Sequence, residues 1–431
     1  MALSTADAAH LLRRSGFGVT QPALAELTAL GSRTAAVDRV LDLSRNAAGA
    51  VPTIPVGGDK YVALKTMTNW WIDRMRTSPV PIVEKMTVFW HGHFATGMDK
   101  VDMSAMATQH AILRKHALGD FHAMTQAVSR DPAMLLYLDN YANFAGRFQE
   151  NFARELMELF TMGLGNYTQA DVSALTRAWT GHSVDDSYRT YLFRAAYHDN
   201  NGKRLFGGPL KNWDGPAALT EILKGVMAVP SSRFVAAKVF SFLAYPVEPG
   251  DPVVTPLADA FRASDLNVLA LVKAIFNSPA FWSDTARHAL VRSPIEWVVA
   301  ALQASGIPTT TVPAQTVLAQ AGQLLFSPPD VSGWGQNEYW LSTSNLWGRS
   351  QWASFVRYYA WQAGLLSGME KLSVPERVQR AFDQFGITEP SPTTRAALEG
   401  YCTKALADGD GWSIPAMLVH LLLLSPDLQV A

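Results

Sequence analysis

The chain has 431 residues, 48% hydrophobic and 17% charged, which suits a folded protein with a sizeable core and excludes a disordered one. Its 36 basic and 37 acidic residues leave no charge excess to favour nucleic acid or an anionic membrane as partner. The one cysteine, Cys402, excludes a disulfide framework and any multi-cysteine metal site.

Residues 4–43 read as three short helices, capped by Ser4, Thr20 and Ser32, with Gly31 ending the second. Arg13 and Arg14 form a twin-arginine pair, but no apolar run follows it. No signal peptide is read, and a cytoplasmic location is expected. Residues 44–58 hold Pro and Gly and read as a loop.

Helices are expected over 59–78 and 81–91. The second ends in Phe89-Trp90-His91-Gly92-His93-Phe94. On one continuous helix His91 and His93 would point about 200° apart and could not share a metal. Gly92 lets the backbone leave the helix, so the two converge and become candidate metal ligands; the other reading makes them hydrogen-bonded structural groups. Zinc, manganese or iron would suit histidines with carboxylates, and calcium or magnesium would suit carboxylates and amides alone. Trp90 beside them is a candidate substrate-binding ring. A helix over 103–118 carries His110 and His116 as ordinary helix residues.

The densest site signal runs from Asp131 to His182. Asp139, Asn143, Arg154, Glu155 and Glu158 are mixed there with Leu, Met and Phe at helical spacing. Gln149 to Gly163 reads as a helix with Phe152, Leu156, Leu159 and Phe160 as its apolar stripe. Glu155 and Glu158 are i and i+3, so their carboxylates are neighbours, suited to holding a proton, a cation or an acid/base role. Arg154 and Glu158, at i and i+4, equally suit an ordinary ion pair. Thr168 and Asp171 form a capping-box variant that opens the next helix, and His182 sits just past its end.

Residues 190–207 break the helical pattern. Aromatic-flanked runs on either side of Asn201-Gly202 predict a small hairpin carrying His198, Asp199 and Lys203. Helices resume over 216–228, 231–245, 252–263, 266–276, 294–305 and 313–323. Arg233, Lys238, Arg292 and Glu296 read there as surface ion pairs, each worth about 0–1 kcal/mol. Residues 327–349 read as a loop rich in Trp, Gly and Pro, in which Trp334 and nearby amides are candidates to hold a sugar ring or flat ligand. The alternative packs those rings onto the helical core. Helices near 351–364, 374–386, 393–406 and 413–424 complete the chain, and the apolar run Ile414 to Leu424 is too short to span a bilayer. There is no P-loop, GxGxxG, HExxH or GxSxG.

Several stretches together resemble a bacterial family, domain of unknown function 1800. They are HLLRRSGFG at 10–18, VFWHGHFATG at 88–97, DPAMLLYLDN at 131–140, ENFARELMELFTMGLGNYTQADV at 150–172, HDNNGK at 198–203, SPIEWV at 293–298 and PPDVSGWG at 328–335. The resemblance covers nearly the whole chain and implies a mostly helical fold, without implying a reaction. Where that family's pattern often has a histidine, this chain has Phe160.

The reading is a mostly α protein, a multi-helix globular bundle with one small β-hairpin near 190–207. It forms one large domain, 1–431, divisible into a polar-cluster lobe at 1–215 and a helical lobe at 216–431. The leading function is an acid/base or metal-assisted hydrolase acting on a polar, glycan-like substrate. Glu155, Glu158, Asp139 and His182 are the catalytic candidates; Trp90, Asn143, Arg154, Lys203 and Trp334 bind substrate; His91 and His93 hold a divalent metal. The alternative is a non-catalytic protein that binds a glycan or a protein, with the polar cluster as a buried structural network. A haem protein with a histidine axial ligand is a third, weaker reading. No nucleic acid or membrane partner is expected.

Overall fold

Short polar side chains set most of the helix starts. In the computed structural model, which describes residues 2–46 and 49–431, α1 spans Thr5–Ser15, α2 Gln21–Ala29 and α3 Arg33–Val40. Ser4 accepts from the Asp7 N–H at 3.0 Å and the Asp7 carboxylate closes a capping box; Thr20 and Ser32 cap Ala23 and Ala35. Next come α4 (Lys60–Thr77), α5 (Pro81–His93), α6 (Met103–His116), α7 (Phe121–Val128) and α8 (Pro132–Tyr137). Asp59, Asp102, Asp120 and Asp131 cap α4, α6, α7 and α8.

The central helix departs from the expected single α-helix. It is α only over α9 (Asn151–Glu155) and continues as a π-turn over Leu156–Thr161. Thr161 Oγ1 donates to the Leu156 carbonyl at 2.5 Å, and both Met162 N and Gly163 N reach Met157 O. After α10 (Gln169–Ala178) comes the one sheet among the described residues, β1 (His182–Val184) antiparallel to β2 (Tyr191–Phe193). The hairpin therefore lies earlier than expected. Its turn is made by Asp185, whose carboxylate accepts from Arg189 and Thr190 N–H. Asn201-Gly202 is no hairpin turn: Asp199 Oδ1 takes up Asn201 N, and Lys203 bridges to Lys211.

The remaining helices are α11 (Gly215–Lys224), α12 (Ala228–Leu243), α13 (Val254–Ala263), α14 (Val268–Asn277), α15 (Pro294–Ser305), α16 (Ala314–Gln320), α17 (Thr343–Gln362), α18 (Val374–Gln384), α19 (Pro392–Ala407), α20 (Ile414–Leu424) and α21 (Pro426–Gln429). Helix content is 59%, well above the roughly one-third usual for globular proteins. α17 starts earlier than expected because Ser342 caps it through Asn345 N at 3.3 Å, so Trp347 stands on a helix and not in the loop.

Two apolar clusters fill the molecule. One joins α1–α3 to α7 and α10–α14; the other joins α4 to α15–α20. α5 and α6 serve both: Trp90 and Leu113 enter the first cluster, Val88 and Met106 the second. Although α4 precedes residue 215, it packs with the C-terminal helices. Among the described residues no single helix is long and apolar enough to cross a membrane; α11 and α12 pass such a test only as a pair bent by 76°.

Candidate functional site

The C-terminal end of α5, the π-turn, α12, the start of α15 and the loop after Pro329 surround one cleft. Its inner part has a volume of about 120 Å3 and its outer part about 730 Å3, and both are lined by Lys238, Ser241, Trp334 and Asn337. His93 and Glu296 line the inner part only.

His93 arrives on α5, which runs unbroken through Gly92. Its Nε2 lies 3.0 Å from the carbonyl oxygen of Phe160 on the π-turn. A carbonyl can only accept, so Nε2 carries the proton and Nδ1 keeps its lone pair. That Nδ1 has no hydrogen-bond partner among the described residues. Burial, with the Lys238 charge nearby, holds the imidazole pKa well below its usual value. His93 is thus a neutral base whose acceptor is unpaired but enclosed.

Lys238 comes from α12, where its neighbours are Ala236, Ala237, Val239 and Phe240. Its ammonium donates to the Leu159 carbonyl at 3.3 Å and lies 4.9 Å from the centroid of the Phe234 ring. No carboxylate pairs with it among the described residues, and burial lowers its pKa to about 8. Leu159 O and Phe160 O belong to the last turn of the π-segment, where carbonyls lack a helical N–H partner. The negative end of that helix therefore seats a cation and an imidazole side by side. A π-turn at a functional site is a recurrent arrangement.

Trp334 closes the cleft, with an indole N–H that has no partner among the described residues and a ring 5.3 Å from that of His91. Gly333 beside it has φ +83°, and a Cβ there would sit 2.2 Å from the Gly92 carbonyl oxygen. A Cβ on Gly92 would meet only the Trp334 ring, at 3.7 Å. Gly333→Ala should therefore displace the Trp334 loop and lower stability by about 1–3 kcal/mol, whereas Gly92→Ala should cost under about 1 kcal/mol. Urea denaturation of both variants checks this; equal losses would refute the backbone-on-backbone packing.

The sequence candidates divide. Trp334 and His93 reach the cleft. His91 does not join His93: its Nε2 accepts from Phe326 N at 3.1 Å, its ring packs on Trp71 and Phe326, and burial lowers its pKa to about 3. The helix stays regular at Gly92, so the two imidazoles face different surroundings. Among the described residues no three His, Cys, Asp or Glu side chains gather as a metal site. Trp90 is fully buried in the first apolar cluster and gives its N–H to Ala117 O at 2.8 Å, so it offers no surface to a substrate.

Glu155 and Glu158 are partly exposed neighbours outside the cleft. Burial, then the Glu158 charge, raises the Glu155 pKa, and Tyr167 donates to Glu158 at 2.5 Å. Arg154 pairs with Glu150 at 3.3 Å and Gln169 at 2.8 Å rather than with Glu158, because the π-turn shifts residue 158 off the i+4 position. Asp139 holds a left-handed turn at φ 62° and pairs with Lys100 at 2.7 Å. Asn143 is saturated by Asn140, Thr176 and Gln149. His182 bonds Tyr191 at 2.8 Å, and burial lowers its pKa to about 4. Lys203 is spent on Asp199 O and Asn212. Asn143, His182 and Lys203 are thus held by hydrogen bonds to neighbouring segments.

Arg292, expected on the surface, is buried, and the Glu296 side chain, expected there too, is only 12% exposed. Glu296 pairs with the buried Lys85, and Arg14, Arg292 and Arg349 are buried around it. Lys238, also expected on the surface, is the cation the sequence reading missed in the cleft. Its one signal was an apolar run on both sides.

The stretches 88–97, 150–172, 293–298 and 328–335 thus meet at one place, far apart as they are in the sequence. A family model described as a protein of unknown function, DUF1800, matches residues 10–430. The chain belongs to the DUF1800 family. No curated protein and no solved structure matches it. In this DUF1800 chain, residue 160 presents to His93 its backbone carbonyl and, at 6.0 Å between ring centroids, a phenyl ring.

Proposed function

We propose that the cleft is the active site of a hydrolase working by acid/base chemistry on a polar, ring-bearing substrate. The observation that supports this most is a pair of complementary protonation states beside each other in one cleft. His93 is neutral with an unpaired, enclosed lone pair, and Lys238 is an ammonium with no carboxylate partner among the described residues. Burial favours the neutral form of both, but their intrinsic pKa values differ enough that one is a base and the other an acid at pH 7. In the proposed step His93 Nδ1 takes a proton from water as its oxygen attacks the substrate. Lys238 gives its proton to the leaving group, and a proton passing from His93 to Lys238 restores the site. Trp334 offers a ring face to the substrate.

A panel of chromogenic aryl esters and aryl glycosides tests this. Wild-type kcat/KM should stay level up to about pH 8 and fall above it, as Lys238 loses its proton. Lys238→Met should remove that alkaline limb. His93→Gln keeps a donor for Phe160 O but lacks the base, and should lose about 100-fold or more in kcat. No turnover across the panel, or full activity in His93→Gln, would overturn the proposal.

A further inference from the structure

One face of α17 departs from what a solvent-exposed helix carries. Its exposed positions include no charged residue; Arg349 is buried, and Arg357 turns to the Met417 sulfur at 3.1 Å. Four of the exposed positions are aromatic: Trp347 is 63% exposed, Phe355 49%, Tyr358 51% and Trp361 51%. Gln351, Ser354 and Gln362 stand between them. At 3.6 residues per turn all seven fall within an arc of about 120°, and Trp347 to Trp361 spans about 21 Å. A single exposed ring needs no explanation, but a contiguous stripe marks a binding face.

The chemistry of the stripe selects its occupant. We infer that the α17 stripe is a platform for an uncharged polysaccharide chain that leads to the cleft. A pyranose ring has apolar C–H faces that stack on aromatic rings and a rim of hydroxyls that bonds to amides. The stripe alternates those two recognition elements, and Gln362 Nε2 holds the Tyr358 hydroxyl at 2.8 Å. A helix lying on a lipid surface would flank its apolar face with Lys and Arg, which this stripe lacks. A self-association face would be expected to add aliphatic side chains within the stripe; the exposed Leu346 lies about 60° outside its arc. The platform also adjoins the site along the chain. Gln336, Asn337 and Glu338 line the outer cleft, and the turn Asn337–Leu341 leads directly to Ser342, the cap of α17. This deepens the proposed function by naming its substrate class, while binding itself does not depend on the cleft's chemistry.

The test is depletion from solution by insoluble cellulose, chitin and xylan. The full-length protein is compared with the triple variant Trp347→Ala, Tyr358→Ala, Trp361→Ala and with His93→Gln. Because the three rings are exposed, the triple variant should keep the wild-type thermal melt. The wild type should bind at least one polymer. The triple variant should bind it about tenfold or more weakly. His93→Gln should bind as the wild type does, which separates failure of the platform from failure of the catalytic reading. Absence of binding to all three polymers, or equal binding by the triple variant, overturns the inference. So does a wild-type dimer that the triple variant converts to monomer, or wild-type binding to phosphatidylcholine vesicles that the variant abolishes.

Discussion

Glu296→Gln will destabilise the protein by about 3–5 kcal/mol, the cost of leaving a buried cation unpaired. Gln is the sharper replacement because it can keep the Ser293 capping box while removing the charge. The carboxylate neutralises more than one partner. It bonds Lys85 directly, and its charge is felt by Arg14, Arg292 and Arg349, all buried. Burial lowers Arg13 and Arg14 to about 9 and Arg292 and Arg349 to about 10, so all four still carry charge at neutral pH. The effect must therefore be asymmetric. Lys85→Met leaves Glu296 among those arginines and places a thioether between the Phe17 and Phe242 rings that now flank the ammonium. It should cost clearly less than Glu296→Gln. Urea denaturation of the two variants decides: equal costs would mean that Glu296 serves Lys85 alone.

Acid will unfold the protein from about pH 6.5 downward, with a slope of several protons. Burial depresses His10 to about 2, His91 to about 3, and His182 and His288 to about 4; His93 and His110 also lie well below 6.5. Their folded pKa values lie below the unfolded one, so the unfolded chain takes up protons first. The stability they contribute is complete above pH 6.5 and is lost as pH falls toward the folded values. Each such histidine contributes up to about 1.4 kcal/mol per pH unit across that window. Asp131 has the opposite sign. Burial raises it to about 7, so the folded state gains stability from its protonation as pH falls from about 7 toward 4. Two carboxyls, Asp131 and Glu155, oppose six imidazoles, and the net slope is an acid loss. Unfolding free energies at pH 5, 6, 7 and 8 test this; a level profile between 7 and 5 would mean that the imidazoles are solvated and free to protonate in the native state. Asp131→Asn should steepen the acid loss.

What could be read from the sequence was local. Ser4, Thr20, Ser32 and Thr168 announce their helices because a cap needs only its own next three residues. The π-turn was illegible, since ELMELFTMG satisfies an α pattern and the extra residue is accommodated only against His93 and Lys238. The hairpin was misplaced because Asn201-Gly202 is a strong local signal that loses to Asp199, whose side chain claims Asn201 N and the Arg177 guanidinium. Sequence density also misled. The carboxylates and amides crowded between Asp139 and Glu158 mostly bond to neighbours outside the cleft, such as Lys100, Thr176, Gln169 and Tyr167, whereas the cleft draws residues from five separate stretches. Lys238 and Glu296 each looked like ordinary helix charges, because nothing local says which face of a helix is covered by a helix from elsewhere.

The N-terminal helix is tied to partners made much later. His10 and Arg14 bond the carbonyls of Phe281 and Ala286, and Arg292 in turn bonds Phe17 and Val430. During synthesis Arg13, Arg14 and Lys85 leave the ribosome long before Glu296 exists to offset them. The first helices cannot bury those charges alone, so they stay open until most of the chain has emerged. The first apolar cluster is completed by Phe281 and Trp282, so its surface stays uncovered in the nascent chain until those residues have emerged.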